Sequence, residues 1–343
     1  MKSMILLGVA LMFAIGAEAQ TNTYTVTSVV TKSQDSRLAN PWGMSHPPKN
    51  QNKRNEWWVA DEVSGFSTLY SGNGNVLGLA ITIPPAGGSG PGNPTGIANS
   101  PTISEFAFAT LDGTISTWNA NTTPSKPGNN CYQCHVSNAT IVVDNSETGA
   151  SYQGMTIAKN ATSDAFAYYV ANANGGVEAY DATSFAPLIL PAGAFTDPKI
   201  PKTYTPAGIQ TIGPTIFVTY NASAGGGTGY VDAFDTNGKL LLRLQNGWFN
   251  QPWGVVSSPS NFGLFSNMIL VGNTGSGWVG AYNSKTGAFA GFLQSGGTTL
   301  SIPGLWGLEF GDGASQSGPT NVLYFNAGGV TQTTGVFGAI TAD

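Results

Sequence analysis

The chain has 343 residues, a formal net charge of −5 and only 9% charged residues, against about 25% in an ordinary soluble domain. So sparse and mildly acidic a charge, with no basic stretch, argues against nucleic acid as a partner. The 46 glycines and 20 prolines, set among Thr, Ser, Asn and aromatic residues, describe an all-β protein with many tight turns and argue against a helical one.

The chain begins Met1-Lys2-Ser3, continues with an apolar run over 4–15, and then reads Ala17-Glu18-Ala19. A basic start, an apolar stretch too short to span a bilayer and small residues before the cut make a secretory signal peptide. Cleavage after Ala19 would leave Gln20 first. No later stretch is long and apolar enough to cross a membrane as a helix. The expectation is a mature chain with no integral membrane segment, periplasmic or secreted, organised as a signal peptide over 1–19 and one domain over 20–343.

After the leader, Tyr24-Thr25-Val26-Thr27-Ser28-Val29-Val30 alternates as a strand but belongs to no repeat. A glycine-centred phrase then recurs: Pro41-Trp42-Gly43-Met44, Pro94-Thr95-Gly96-Ile97, Gln153-Gly154-Met155, Pro206-Ala207-Gly208-Ile209, Pro252-Trp253-Gly254-Val255 and Leu305-Trp306-Gly307-Leu308. The period is about 50 residues, which is the spacing of propeller blades. Each phrase leads to an apolar strand, a Gly or Asn turn and an alternating strand, as in Trp57-Trp58-Val59-Ala60-Asp61 followed by Ser67-Thr68-Leu69-Tyr70.

One such sheet cannot bury both faces alone, whereas sheets packed radially can. The glycine phrase belongs on the innermost strand, where backbones crowd near the axis. The sixth unit ends at Asp343 one strand short. The fold class is therefore all-β, a six-bladed β-propeller closed by the N-terminal strand, a closure that removes an open edge.

The chain also contains Asn40-Pro41-Trp42-Gly43, Trp58-Val59-Ala60-Asp61, Ser67-Thr68-Leu69-Tyr70, Phe108-Ala109-Thr110-Leu111-Asp112-Gly113-Thr114-Ile115-Ser116, Gly193-Ala194-Phe195-Thr196-Asp197-Pro198 and Gly304-Leu305-Trp306-Gly307-Leu308. Together these phrases resemble a family of exported bacterial β-propellers of unknown function, some of whose members carry C-terminal sorting signals. The resemblance runs from about Leu38 to the C-terminus and is distantly similar to NHL-like repeats. It implies the fold and export and leaves the activity open. No apolar sorting tail is visible before Asp343.

The two cysteines of the chain stand in Cys131-Tyr132-Gln133-Cys134-His135. A Cys-x-x-Cys-His run is the attachment pattern of c-type haem, with two thioether bonds and His135 as axial iron ligand. In an exported protein the same pair also suits a local disulfide. The surrounding stretch over 119–139 reads as a polar loop between blades. Cys131, Cys134 and His135 are thus the candidate cofactor-binding residues, with haem c the candidate cofactor, and His46, Met44 and Met155 are candidates for a sixth ligand. His46, in Ser45-His46-Pro47-Pro48, reads as exposed.

The sequence shows no Ser-His-Asp elbow and no phosphate-binding loop. Asp61, Asp112, Asn172, Asn273 and Asn326 recur at strand ends, where such side chains bond their own turns; gathered at one end of the axis they could instead hold Ca²⁺. Trp118, Trp248 and Trp278 suit either blade packing or a carbohydrate or partner surface. The leading expectation is a non-catalytic binding scaffold with an extracytoplasmic protein or polymer ligand. The alternatives are a haem redox protein and a Ca²⁺-dependent hydrolase or lyase in the axial channel.

Overall fold

Six antiparallel sheets stand around a common axis in the computed structural model, which describes residues 21–49, 55–100, 106–119 and 136–343. The signal-peptide region over 1–19 and the motif Cys131, Cys134 and His135 lie outside the described residues. The inner strands, one per blade, are Pro41–Ser45, Pro94–Asn99, Tyr152–Lys159, Tyr204–Ile212, Pro252–Ser257 and Leu305–Phe310. They start blades 1 to 6 in that order, and they carry the six glycine phrases of the sequence.

Each phrase forms an inner strand because its glycine is the residue the ring can accommodate. A Cβ on Gly43 would lie 2.7 Å from the carbonyl oxygen of Thr95, one on Gly154 3.0 Å from that of Ala207, and one on Gly254 2.5 Å from that of Trp306. Gly96 and Gly208 face the backbones of Met155 and Trp253 more closely still, and Gly307 faces Trp42. Each glycine therefore abuts the next blade, and the sixth returns to the first. At the same phrase the pairing with the second strand shifts register in every blade. A bulge at a crowded position re-aims the side chains that follow it.

Burial of both sheet faces explains the continuous apolar runs of the second strands. In Trp57–Asp61, Trp57 and Val59 pack toward blade 6 while Trp58 and Ala60 pack toward blade 2. In Phe166–Asn172, Tyr168 and Val170 face blade 2, and Tyr169 and Ala171 face blade 4. Among the described residues, six apolar clusters occupy the six gaps between neighbouring blades.

The N-terminal strand Tyr24–Thr31 closes the ring as the outermost strand of blade 6, pairing antiparallel with Val336–Ala342 from Tyr24↔Ala342 to Thr31↔Val336. Tyr24 is fully buried, accepts a hydrogen bond from the Phe265 N–H and donates to the Phe262 carbonyl at 3.1 Å.

Blades 1 and 3 depart from the four-stranded plan, and blade 2 completes it by an indirect route. The polar stretch over 119–139 is not wholly a loop between blades. Val136–Asn138 adds to blade 1 as a parallel fifth strand beside Val76–Thr82. Thr140–Asp144 is then the outer strand of blade 2, paired with Thr114–Trp118. In chain order, therefore, the outer strand of blade 2 follows the cysteine motif. The strand was legible in Thr140-Ile141-Val142-Val143, but its solvent-facing position removes the alternation that marks a half-buried strand. Blade 3 has three strands and a single bridge, Tyr180↔Pro187, in place of the fourth.

Candidate functional site

The axis is filled. Trp42, Trp253 and Trp306 occupy the position before the ring glycine in the adjacent blades 1, 5 and 6, where blades 2, 3 and 4 have Thr95, Gln153 and Ala207. The smaller residues leave room into which the three indoles lean, and they cluster with Ala207 across the ring. Trp42 and Trp306 stack at 3.8 Å between ring centres, and Trp253 meets both edge-on at 6.3 and 5.9 Å. The Trp306 N–H donates to Asn40 and the Trp253 N–H to the Gln153 carbonyl.

Beyond the glycine ring, Met44, Ile97, Met155, Ile209, Val255 and Leu308 line a cavity of about 10 Å³, on the order of one water molecule. A substrate has no room there. Met44 and Met155 are core residues of this plug, 7% and 4% exposed.

At the end of the axis opposite the tryptophans, His46 is held between two carboxylates. Its Nε2 is 3.6 Å from Glu309 and its Nδ1 3.8 Å from Asp312. The ring packs edge-on against Trp57 at 4.6 Å. His46 is therefore sheltered, contrary to its loop-like sequence, because Trp57 and the Glu309 strand enclose it. Burial pushes the Glu309 carboxyl up to about 7, with His46 opposing the shift and Asp312 adding to it. Asp312 goes the other way: against the cost of burial, hydrogen bonds from the Ser317 hydroxyl and the Ala314 N–H hold it below its ordinary value. Among the described residues, no three His, Cys, Asp or Glu side chains stand where they could hold one metal ion.

The recurrent strand-end residues make hydrogen bonds within their turns and to neighbouring segments. Asp61 is fully buried and accepts from Thr68 at 2.6 Å; burial raises its carboxyl well above the usual range. Asp112 accepts from the Ala86 N–H and binds Thr110. Asn172 accepts from the Ser151 N–H, Asn273 from the Asn250 N–H, and Asn326 donates to the Gly43 carbonyl.

The tryptophans singled out in the sequence separate into two kinds. Trp118 is buried between blades 1 and 2 and donates to Ser137 at 2.9 Å. Trp248 and Trp278 are 49% and 38% exposed. Trp248 comes from the connection into blade 5, and Trp278 from the turn after Met268–Asn273. Trp248 meets the half-buried Phe289 and Phe292 of the outer strand Phe289–Phe292, and Trp278 meets Phe292.

These four rings form one contiguous surface. Trp248 stacks on Phe289 at 4.9 Å and meets Phe292 edge-on at 6.1 Å; Trp278 meets Phe292 at 5.1 Å, and the two phenylalanines are 4.9 Å apart. The sequence offered the tryptophans but not this grouping, since the phenylalanines meet them only through the sheet and the connecting loop. Exposed apolar patches of this kind mark interaction sites in soluble proteins.

Fold and surface together define a six-bladed β-propeller with a closed axis and an aromatic flank. No family model matches the chain. The chain is similar to three uncharacterized proteins of Acanthamoeba polyphaga mimivirus. One is 31% identical over 221 residues, covering 60% of this chain and 38% of that protein, so the match spans well under half of the relative's length. A second is 27% identical over 92% of this chain and 83% of the relative, and a third 27% over 90% and 76%. Among solved structures it is similar to BBS1N crystallised in complex with ARL6DN (14% identity, TM-score 0.49, 88% of this chain and 79% of that one). It is similar also to the WD40 β-propeller domain of Doa1 (11%, TM-score 0.48, 91% and 96%) and to the Dos1 propeller (10%, TM-score 0.46, 85% and 82%).

Proposed function

We propose that this chain is an exported propeller that acts as a non-catalytic binding scaffold outside the cytoplasm, and that it engages its partner through the aromatic flank of blade 5. The observation that carries this reading is the contact group Trp248, Trp278, Phe289 and Phe292, with both indoles open to solvent. Large aromatic groups left partly exposed and braced against a sheet supply contact area for a partner. The filled axis supports the same reading, because a cavity of about 10 Å³ gives channel chemistry no space. Export rests on the leader over 1–19.

The test is expression with the native leader, followed by intact mass and photo-crosslinking from position 248. A mature chain starting at Gln20 outside the cytoplasm, with a discrete adduct from position 248 and none from a control position on blade 2, is the expected result. A full-length chain kept in the cytoplasm, or adducts independent of position, would refute it. A mass gain of one haem with a Soret band, lost when Cys131 and Cys134 are replaced by Ala, would instead make the protein a cytochrome.

A further inference from the structure

We infer that the aromatic flank of blade 5 is a binding site for a neutral carbohydrate chain. The inference rests on the reading of that flank as the docking face and adds the chemistry of its ligand. Three observations carry it.

The first is the kind of apolar surface present. Trp248 lays one face on Phe289, so the exposure of the residue lies on its opposite face and edges. Flat π-faces pack against the axial C–H groups of a sugar ring, whose hydroxyls point outward around the rim. Trp278, inclined to Phe292 at 64°, adds a second indole beside the first, so that two neighbouring sugar units could each meet a ring.

The second is the scarcity of charge. Lys285 is the one charged residue between Arg243 and Glu309, a stretch that includes all of blade 5. It lies in the turn between Val279–Asn283 and Phe289–Phe292, four residues before Phe289 and at the far end of the blade from Trp278. A surface for nucleic acid or an acidic polymer would need cations. A neutral ligand needs none.

The third is the rim itself, which is made of amides and hydroxyls fixed by backbone hydrogen bonds. The Phe289 N–H donates to Gln245 Oε1 at 3.0 Å. Asn22 donates from Nδ2 to the Phe292 carbonyl at 3.0 Å and accepts at Oδ1 from the Gln294 N–H at 3.1 Å. Ser301 donates to the Ser276 carbonyl at 3.0 Å, beside Trp278. Amide and hydroxyl groups held in place suit hydroxyl recognition, and prior fixation lowers the entropy lost on binding.

The experiment uses the mature chain on an array of neutral glucans, mannans, galactans, xylans and chitin oligosaccharides together with acidic glycans, followed by affinity electrophoresis in the polysaccharide retained. Expected is retention by at least one neutral glycan, unchanged by salt up to about 0.5 M because no counterions are displaced. Trp248→Ala and Trp278→Ala should each weaken it roughly tenfold or more, which is about 1.4 kcal/mol, and the double variant should abolish it. Trp248→Phe, which keeps a flat face, should retain most of it. Unchanged melting of the variants shows that the fold is intact.

Each other outcome overturns the inference in a recognisable way. No retention by neutral glycans alongside a protein adduct from position 248 removes the carbohydrate ligand and leaves the docking face standing. Retention confined to acidic glycans and lost in salt also refutes a neutral ligand. Neutral-glycan binding that survives the double variant removes the surface assignment, and with it the function proposed for the flank. Neither glycan retention nor adduct removes both.

Discussion

A Cβ placed on Gly307 would lie 2.6 Å from the carbonyl oxygen of Trp42, so the last blade meets the first with no room for a single methyl group. Gly307→Ala should therefore force the two inner strands apart, at a cost of about 2–3 kcal/mol. Gly149→Ala is the control. Gly149 has φ +74 and open space around it, so backbone strain alone should cost about 1 kcal/mol. Urea denaturation of the two variants beside the wild type checks the difference.

Stability should fall as the pH rises through neutrality, by way of Glu309. Its carboxyl is raised from 4.5 to about 7 in the folded chain, chiefly by burial. The folded state thus holds its proton more tightly than the unfolded state, and the resulting stabilisation is complete below the unfolded value. It is lost as the pH rises from 4.5 through about 7. Glu309→Gln cannot ionise and should flatten this part of the profile. Melting temperatures of both proteins at half-unit steps between those limits test it, and parallel curves would show that another group sets the dependence.

Arg243 neutralises a buried acidic pair. Its Nε lies 3.2 Å from Asp232, which is fully buried, and its Nη2 contacts Asp197. Burial raises Asp232 to about 6 even with the arginine opposing the shift. Arg243→Ala leaves that charge without its partner, a loss of about 3–5 kcal/mol. The deficit should shrink in acid, where Asp232 is protonated and no charge needs compensation. Chemical denaturation at neutral pH and again near pH 4.5, a condition on the order of a pH unit below the Asp232 value, measures both.

The tryptophans should divide cleanly by stability. Trp57 is fully buried in the gap between blades 6 and 1 and donates to the Ser317 carbonyl at 3.0 Å. Trp57→Ala should cost about 3–5 kcal/mol. Trp248→Ala and Trp278→Ala remove half-exposed rings that seal no gap between blades, and each should cost about 1 kcal/mol or less. Differential scanning calorimetry of the three variants decides. A large loss at position 248 or 278 would make those residues structural and not a binding surface.

Much of the ring was legible in the chain. The glycine phrases set the number of blades, because crowding at the axis demands the same small residue at every turn of the repeat, as Gly43 and Gly254 show against Thr95 and Trp306. Tyr24-Thr25-Val26 announced a strand without a blade, and the unpaired sixth unit announced where it goes. Local pattern is sufficient for such features, since each blade repeats one solution to burying two sheet faces.

What the chain could not show is what meets across the ring. His46 reads as a loop residue, yet Glu309 and Asp312 reach it from blade 6 when the ring closes. Trp118 and Trp248 look alike in sequence; one fills a gap between blades and the other stands in solvent beside Phe289. Three tryptophan phrases indicate inner strands, but that their indoles meet one another and Ala207 at the axis is seen only in the closed ring. Strand periodicity determines which face a side chain takes, while its neighbours on that face are set by the curvature and closure of the whole ring. The blades of this protein were therefore written in its sequence, and its plugged axis and aromatic flank were decided by tertiary structure.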